Sequence, residues 1–193
     1  VAIPQPVSDA QKLSLADWGG QFAIAAFEWI DGDKIMWSPT VSGSSFAANR
    51  LLRALLSHTE KTGNFEVLAE TALAFTDGSD WVRGSLIPDL MVVSQQRLTE
   101  FRLGYPDWRN LPLLTVPEIA IEIISPTDRY HEVSRKTALY LLHGISEVWL
   151  IDWTFQTAEC HSAEEIRRLT ADDALNATGI LPQFSIPLKS LFE

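Results

Sequence analysis

The segment Glu118-Ile119-Ala120-Ile121-Glu122-Ile123-Ile124 constrains this chain more than any other stretch of its sequence. β-Branched residues at this density favour a strand, and side chains in a strand alternate between two faces. Ile119, Ile121 and Ile123 therefore share one face, while Glu118, Ala120, Glu122 and Ile124 share the other. A carboxylate within so apolar a strand is costly to bury unless a cation, a metal or a proton compensates it. Asp89 raises the same question at the head of a second apolar strand, Asp89-Leu90-Met91-Val92-Val93, opened by Pro88. Carboxylates on adjacent strands can hold one Mg2+ through hard oxygen ligands, with coordination sites left for water and a phosphate. An ion so placed stabilises charge on a phosphodiester and lowers the pKa of an attacking water.

The rest of the sequence frames these two strands. Ser8 can cap a short helix around Asp9 to Ala16, within an N-terminal extension of residues 1–21. Phe22 to Trp29 reads as a strand and Lys34 to Trp37 as its partner across Asp31-Gly32, a favoured hairpin pair, with Ser38-Pro39 as its end. Leu51, Leu52, Leu55 and Leu56 recur at helical spacing between about Ser44 and His58. Phe65 to Glu70 and Thr71 to Phe75 read as strands before the turn Thr76-Asp77-Gly78, and Gly104 to Asn110 as an ordered surface loop. Ser125-Pro126-Thr127-Asp128 starts a helix that Gly144 ends. Glu147 to Ile151 is a buried strand, followed by weaker strands around Gln156 to His161 and Glu165 to Leu169, and by a Pro-punctuated tail from Leu181 to Phe192. This order predicts one α/β (α+β) domain over residues 1–193, a mixed central β-sheet flanked by helices, with an N-terminal β-hairpin.

The helix after the Glu122 strand offers a lysine, Lys136, that could orient a water or hold a phosphate. It lies roughly 12 Å along the helix from Asp128. Glu122 lies roughly 10 Å back along its strand from Ser125. If the helix returns along the strand, the two levels match.

These residues carry a family resemblance. The series Pro88-Asp89-Leu90, Glu122-Ile123-Ile124-Ser125-Pro126-Thr127-Asp128, Glu132-Val133, Lys136, Tyr140, Gly144 and Glu147-Val148-Trp149-Leu150-Ile151-Asp152 resembles the Uma-type family of putative bacterial restriction endonucleases, within the PD-(D/E)XK superfamily. Glu28-Trp29-Ile30-Asp31-Gly32 and Leu181-Pro182-Gln183-Phe184-Ser185-Ile186-Pro187 are similar to its opening hairpin and closing segment, so the resemblance spans roughly residues 25–193. It implies a restriction-endonuclease-like core, with Asp89, Glu122 and Ile123 holding Mg2+ or Mn2+ and DNA as the substrate. The superfamily pattern places a lysine two residues after the strand Glu, where this chain has Ile124. The resemblance moves that role to Lys136, adds Glu28 as a further catalytic carboxylate, and leaves Glu70 as a weaker candidate for the same place.

Other readings stand beside these. Asp89 could be a turn residue that caps backbone. Glu122 could pair with Arg129 or Arg135, Lys136 could be solvated, Glu28 could be structural, and Glu118 is expected to be exposed at its strand start. His58 suits a helix C-terminus. Neither the remaining histidines nor Cys160-His161 has metal-ligand spacing. Trp81 and Trp108, in polar loops, could contact a base or a partner.

The net charge of −10 opposes tight metal-free binding to nucleic acid, because phosphate neutralisation dominates such affinity. Basic clusters occur only at Arg50 and Arg53, Arg97 to Arg109, and Arg129 to Lys136. The lone cysteine fits a reducing cytoplasm. No apolar run is long enough to span a bilayer and no signal peptide is visible, so no membrane partner is expected. The expectation is a metal-dependent DNA endonuclease, acting as a homodimer because two symmetry-related sites cut two strands. The rival from another class is a catalytically silent fold that binds a nucleic acid or a protein.

Overall fold

The computed structural model describes residues 13–37, 42–76, 80–126, 128–177 and 179–193. Along the chain they form β1 (Leu13–Ser14), α1 (Leu15–Ile24), β2 (Phe27–Ile30), β3 (Asp33–Met36), α2 (Ser42–Thr62), β4 (Phe65–Ala69), β5 (Leu73–Thr76), β6 (Trp81–Leu86) and β7 (Leu90–Ser94). Then follow α3 (Gln95–Gly104), β8 (Ile119–Ile124), α4 (Tyr130–Leu142), β9 (Glu147–Asp152), β10 (Thr157–His161), β11 (Ile166–Leu169), β12 (Ala174–Ala177) and β13 (Leu181–Pro187). Short 3-10 turns occupy Trp108–Asn110 and Leu188–Leu191. This is a mixed α+β architecture, and no described helix is long and apolar enough to cross a membrane.

A six-stranded sheet, in the order β11-β10-β9-β8-β7-β4, forms the centre. β8 and β9 are parallel and joined through α4, while the other neighbours are antiparallel. The two faces of β8 divide as strand alternation requires. Ile119, Ile121 and Ile123 pack with Leu51 and Leu55 of α2 and with the β12–β13 hairpin. Ala120 packs on the other face with Tyr140, Leu139, Met91 and Val93. That second face is where Glu122 points. A smaller sheet, β1-β6-β2-β3 with β5 paired to β6, leans against this side and brings Glu28 towards it.

Local chemistry fixes the ends of these elements. Asp31 (φ 52°) and Gly32 (φ 87°) both adopt positive φ, the two-residue turn geometry that matches strand twist. The resulting register pairs Glu28 with Ile35 and Trp29 with Lys34. Gly144, at φ 88°, closes α4 in the left-handed conformation.

Several expectations need correcting. The first described helix is Leu15–Ile24, capped by Ser14, whose side chain accepts from the Asp17 N–H, while Ser8 lies outside the described residues. The strand expected from Phe22 therefore begins at Phe27, and Phe22 instead stacks on Trp18 at 4.6 Å. Residues 9–12, Ser38-Pro39 and the Asp77-Gly78 part of the expected turn lie outside the described residues. β6 and α3 had no sequence expectation. α3 has little apolar periodicity, although Ser94 caps it by accepting from the Arg97 N–H. The tail is a paired hairpin, β12–β13, and covers the core with Leu181, Phe184 and Leu188. Glu118 is not an exposed strand start: it accepts from the Ser94 N–H at 2.8 Å and pairs with Arg97 at 3.3 Å.

Candidate active site

At the C-terminal end of β8 the ladder to β7 stops at Leu90–Ile121, so the next residues of β8 lack strand partners on that side. Asp89 fills the gap, its Oδ2 accepting from the Ile123 N–H at 2.6 Å. In an extended strand a residue's N–H and C=O point the same way. The Ile123 carbonyl therefore faces the same opening as Asp89. No hydrogen bond among the described residues reaches Asp89 Oδ1.

Glu122, the next residue to project from the opposite face, meets α4. Lys136 Nζ lies 2.8 Å from its Oε1 and 2.9 Å from its Oε2, and Tyr140 donates its hydroxyl to Oε1 at 2.6 Å. Lys136 and Tyr140 are four residues apart and so share a helix face. Glu28 enters from β2. Its Oε1 accepts from the Ile87 N–H at 2.9 Å and lies 3.0 Å from Lys136 Nζ. Glu28 is buried, at 7% exposure. Glu28, Asp89, Glu122 and Lys136 line a cleft of about 160 Å3, together with Ile30, Ile35, Met36, Trp37, Asp128 and Glu132.

The electrostatics follow from one ammonium among three carboxylates. Burial pushes the Asp89 carboxyl up to about 6, against the opposing pull of the Ile123 N–H and the Lys136 charge. Burial likewise pushes Glu122 up to about 7, where Lys136 opposes the shift and the charges of Asp89 and Glu28 add to it. Burial disfavours charge on Lys136, but Glu122 and Glu28 override it and raise its pKa above the ordinary lysine value. The Tyr140 hydroxyl, buried beside Glu122, is pushed well above the usual phenol range. Lysine and tyrosine are thus fixed proton donors, and the carboxylates retain an unneutralised negative charge.

That surplus suits a small hard cation. Among the described residues no three His, Cys, Asp or Glu side chains gather as a metal-binding group. The groups that could hold such a cation are Asp89, Glu122 and the Ile123 carbonyl. Mg2+ commonly binds in this way, through one or two carboxylates and retained water.

Of the residues singled out in sequence, Glu28, Glu122 and Lys136 meet directly, and Asp89 and Ile123 join them at the end of β8. Glu70 is exposed, with its N–H on the Asp89 carbonyl at 3.1 Å, and does not line the cleft. Arg129 and Arg135 do not partner Glu122. Arg129 reaches Glu132, and Arg135 holds Asp31, Asp33 and the Ile30 carbonyl. Asp128 does not cap α4, because its Oδ2 accepts from the Ser125 N–H at 2.7 Å. His58 makes an edge contact with Phe184. Trp108 stacks under Arg102 and Arg109. Two residues lacked a role in sequence: Trp37, which lines the cleft, and Tyr140, which donates to Glu122. Tyr140 was findable from its four-residue spacing to Lys136, and Trp37 from the register of the hairpin.

The chain matches the family model Uma2, described as "Putative restriction endonuclease", over residues 15–189. It is also similar to a solved structure described as "a putative nuclease belonging to DUF820 from Anabaena variabilis ATCC 29413", with a TM-score of 0.75 and 21% identity over 93% of this chain and 97% of that one. At that identity the likeness concerns the fold. No curated protein matches.

Proposed function

Because this chain belongs to the Uma2 family of restriction-endonuclease-like proteins, we propose that it is a metal-dependent endonuclease that hydrolyses DNA phosphodiester bonds in the cleft between β2, β8 and α4. The observation that carries this reading is the imbalance of the cleft: Glu28, Asp89 and Glu122 surround a single lysine, and Asp89 Oδ1 is unpaired among the described residues. Asp89, Glu122 and the Ile123 carbonyl would hold Mg2+ or Mn2+. When bound, such an ion neutralises charge on the scissile phosphate and eases deprotonation of the attacking water.

The chain's own groups do the positioning. The Ile123 N–H fixes one oxygen of Asp89 and leaves the other directed at the cleft. Tyr140 and Lys136 hold Glu122, so its oxygens keep one orientation. Glu28 and Glu122 keep Lys136 protonated, which excludes it as a general base and makes it a fixed cation for a phosphate oxygen or a water.

The test incubates supercoiled plasmid and single-stranded DNA with Mg2+, with Mn2+, and with neither, using the native chain, Asp89→Ala and Glu122→Ala. Cleavage should require the ion and fall at least about 100-fold in both variants, as for loss of a preorganised charge-stabilising group. Identical products from all three proteins would sink the assignment. The second reading, a catalytically silent binding module, draws on the net charge of −10. It predicts no cleavage under any of these conditions, whether the fold binds a nucleic acid or a protein.

A further inference from the structure

The cleft lacks the feature that usually grips duplex DNA. Of its described lining residues only Lys136 is cationic, and Glu28 and Glu122 balance its charge, while Asp128 and Glu132 add further carboxylates on the α4 side. The nearby arginines are occupied as well: Arg135 by Asp31 and Asp33, and Arg129 by Glu132. A duplex presents mainly phosphates, whose neutralisation by Lys and Arg supplies most of its affinity.

The opposite wall offers a different handle. β3 pairs Ile35 directly with Glu28, which puts these two on one face of the hairpin, and Trp37, the residue after β3, donates its N–H to the Ala26 carbonyl at 3.1 Å and lines the cleft with them. Trp37 stands roughly 7 Å along the strand from Ile35. It is half-buried in the cleft lining, and its indole has no ring partner or hydrogen bond among the described residues. Met36 beside it is 56% exposed. Arg135 ties the turn of this hairpin to α4, which holds the hairpin that carries Glu28 and Trp37 against the helix that carries Lys136.

We propose that the substrate is an unpaired DNA strand, with a base next to the scissile phosphate stacking on Trp37 while the phosphate meets the Glu28–Asp89–Glu122 cluster. Single strands, flaps, gaps and frayed ends expose a base face, whereas a paired duplex keeps its base faces within the stack. Stacking on an aromatic side chain tolerates any base, because every base has a π-face. This inference rests on the nuclease reading for the chemistry, but Trp37 binding is measurable without turnover.

The experiment follows fluorescence anisotropy of a labelled 12-nucleotide single strand and of its duplex, with Ca2+ in place of Mg2+, for the native chain, Trp37→Phe and Trp37→Ala. The native chain should bind the single strand at least about 10-fold more tightly than the duplex. Trp37→Ala should lose that preference, and Trp37→Phe should keep most of it. Thermal melting of both variants verifies that they fold. With Mg2+, Trp37→Ala should raise KM for the single strand more than it lowers kcat. Equal affinity of the native chain for both DNAs, no binding of the single strand, or unchanged binding by a folded Trp37→Ala would each overturn the proposal. Single-strand binding without cleavage by the native chain would instead sink the nuclease reading alone.

Discussion

Glu122 experiences opposed demands: burial favours its protonated form, Lys136 favours the charged form, and Asp89 and Glu28 repel the charge. The consequence is a pH dependence of the metal-free protein. Asp89 and Glu122 have folded-state values of about 6 and about 7, raised from 3.8 and 4.5, so the folded chain binds more protons than the unfolded one between these limits. Their stabilising contribution is complete below about pH 4 and is lost as pH rises to about 7. On the proposed reading, Mg2+ or Mn2+ would bind the deprotonated carboxylates and should raise Tm at pH 8 much more than at pH 5. Melting at both pH values checks this, and an equal rise would count against a metal at these residues. Removing the lysine tests the same balance from the other side. Lys136→Met leaves Glu28 and Glu122 buried without their cation and should cost about 3 kcal/mol at pH 8. The loss should shrink at pH 5, where Glu122 takes up a proton. Urea unfolding at the two pH values reads the difference.

At the scale of elements, the β2–β3 hairpin and α4 act as a pair. The hairpin supplies Glu28 and Trp37, α4 supplies Lys136 and Tyr140, and Arg135 links them. Arg135 and its two aspartates are substantially exposed, so Arg135→Ala should change stability by less than about 1 kcal/mol. Single-strand affinity should nevertheless fall several-fold, because the wall that carries Trp37 is released. Anisotropy and urea unfolding on one preparation separate the two effects. The turn itself was readable in sequence: Asp31-Gly32 at positive φ fixes the register, and the register fixes that Glu28 and Ile35 share a face. β6 and α3 were not readable, since Gly84 and Ser85 weaken the strand signal and α3 buries only Leu98 and Phe101. Gly84 has a packing reason: an added Cβ there would lie 3.3 Å from the Trp29 carbonyl and 3.2 Å from the Leu139 side chain.

Across the whole molecule, the charge of −10 and the single lysine of the cleft make one statement about binding. A protein that grips DNA by stacking and by an ion releases few counterions. The slope of log affinity against log salt for the single strand should therefore be shallower than about −1.5. Anisotropy over a KCl series measures it, and a steep slope would point to a phosphate track elsewhere. An unpaired substrate also removes the reason for expecting two symmetry-related sites, because one strand needs one cut.

The sequence by itself determined the strand of Glu122, the alternation that buries Ile119, Ile121 and Ile123, the hairpin turn, and the end of α4 at Gly144. Each is a local consequence of residue type: β-branching, period-two burial, and glycine's freedom at positive φ. It also gathered Asp89, Glu122 and Lys136 as one set through the spacing of a family. Only the tertiary structure decided which cation meets Glu122 and whether Glu28 joins it. Arg129, Arg135 and Lys136 sit on one short stretch of chain, and the angle at which α4 crosses the sheet selects between them. That angle is set by packing of Leu139 and Tyr140 on residues of β7, β8 and β9. A strand carboxylate announces that it needs a partner, whereas the partner's identity is a property of the packed core.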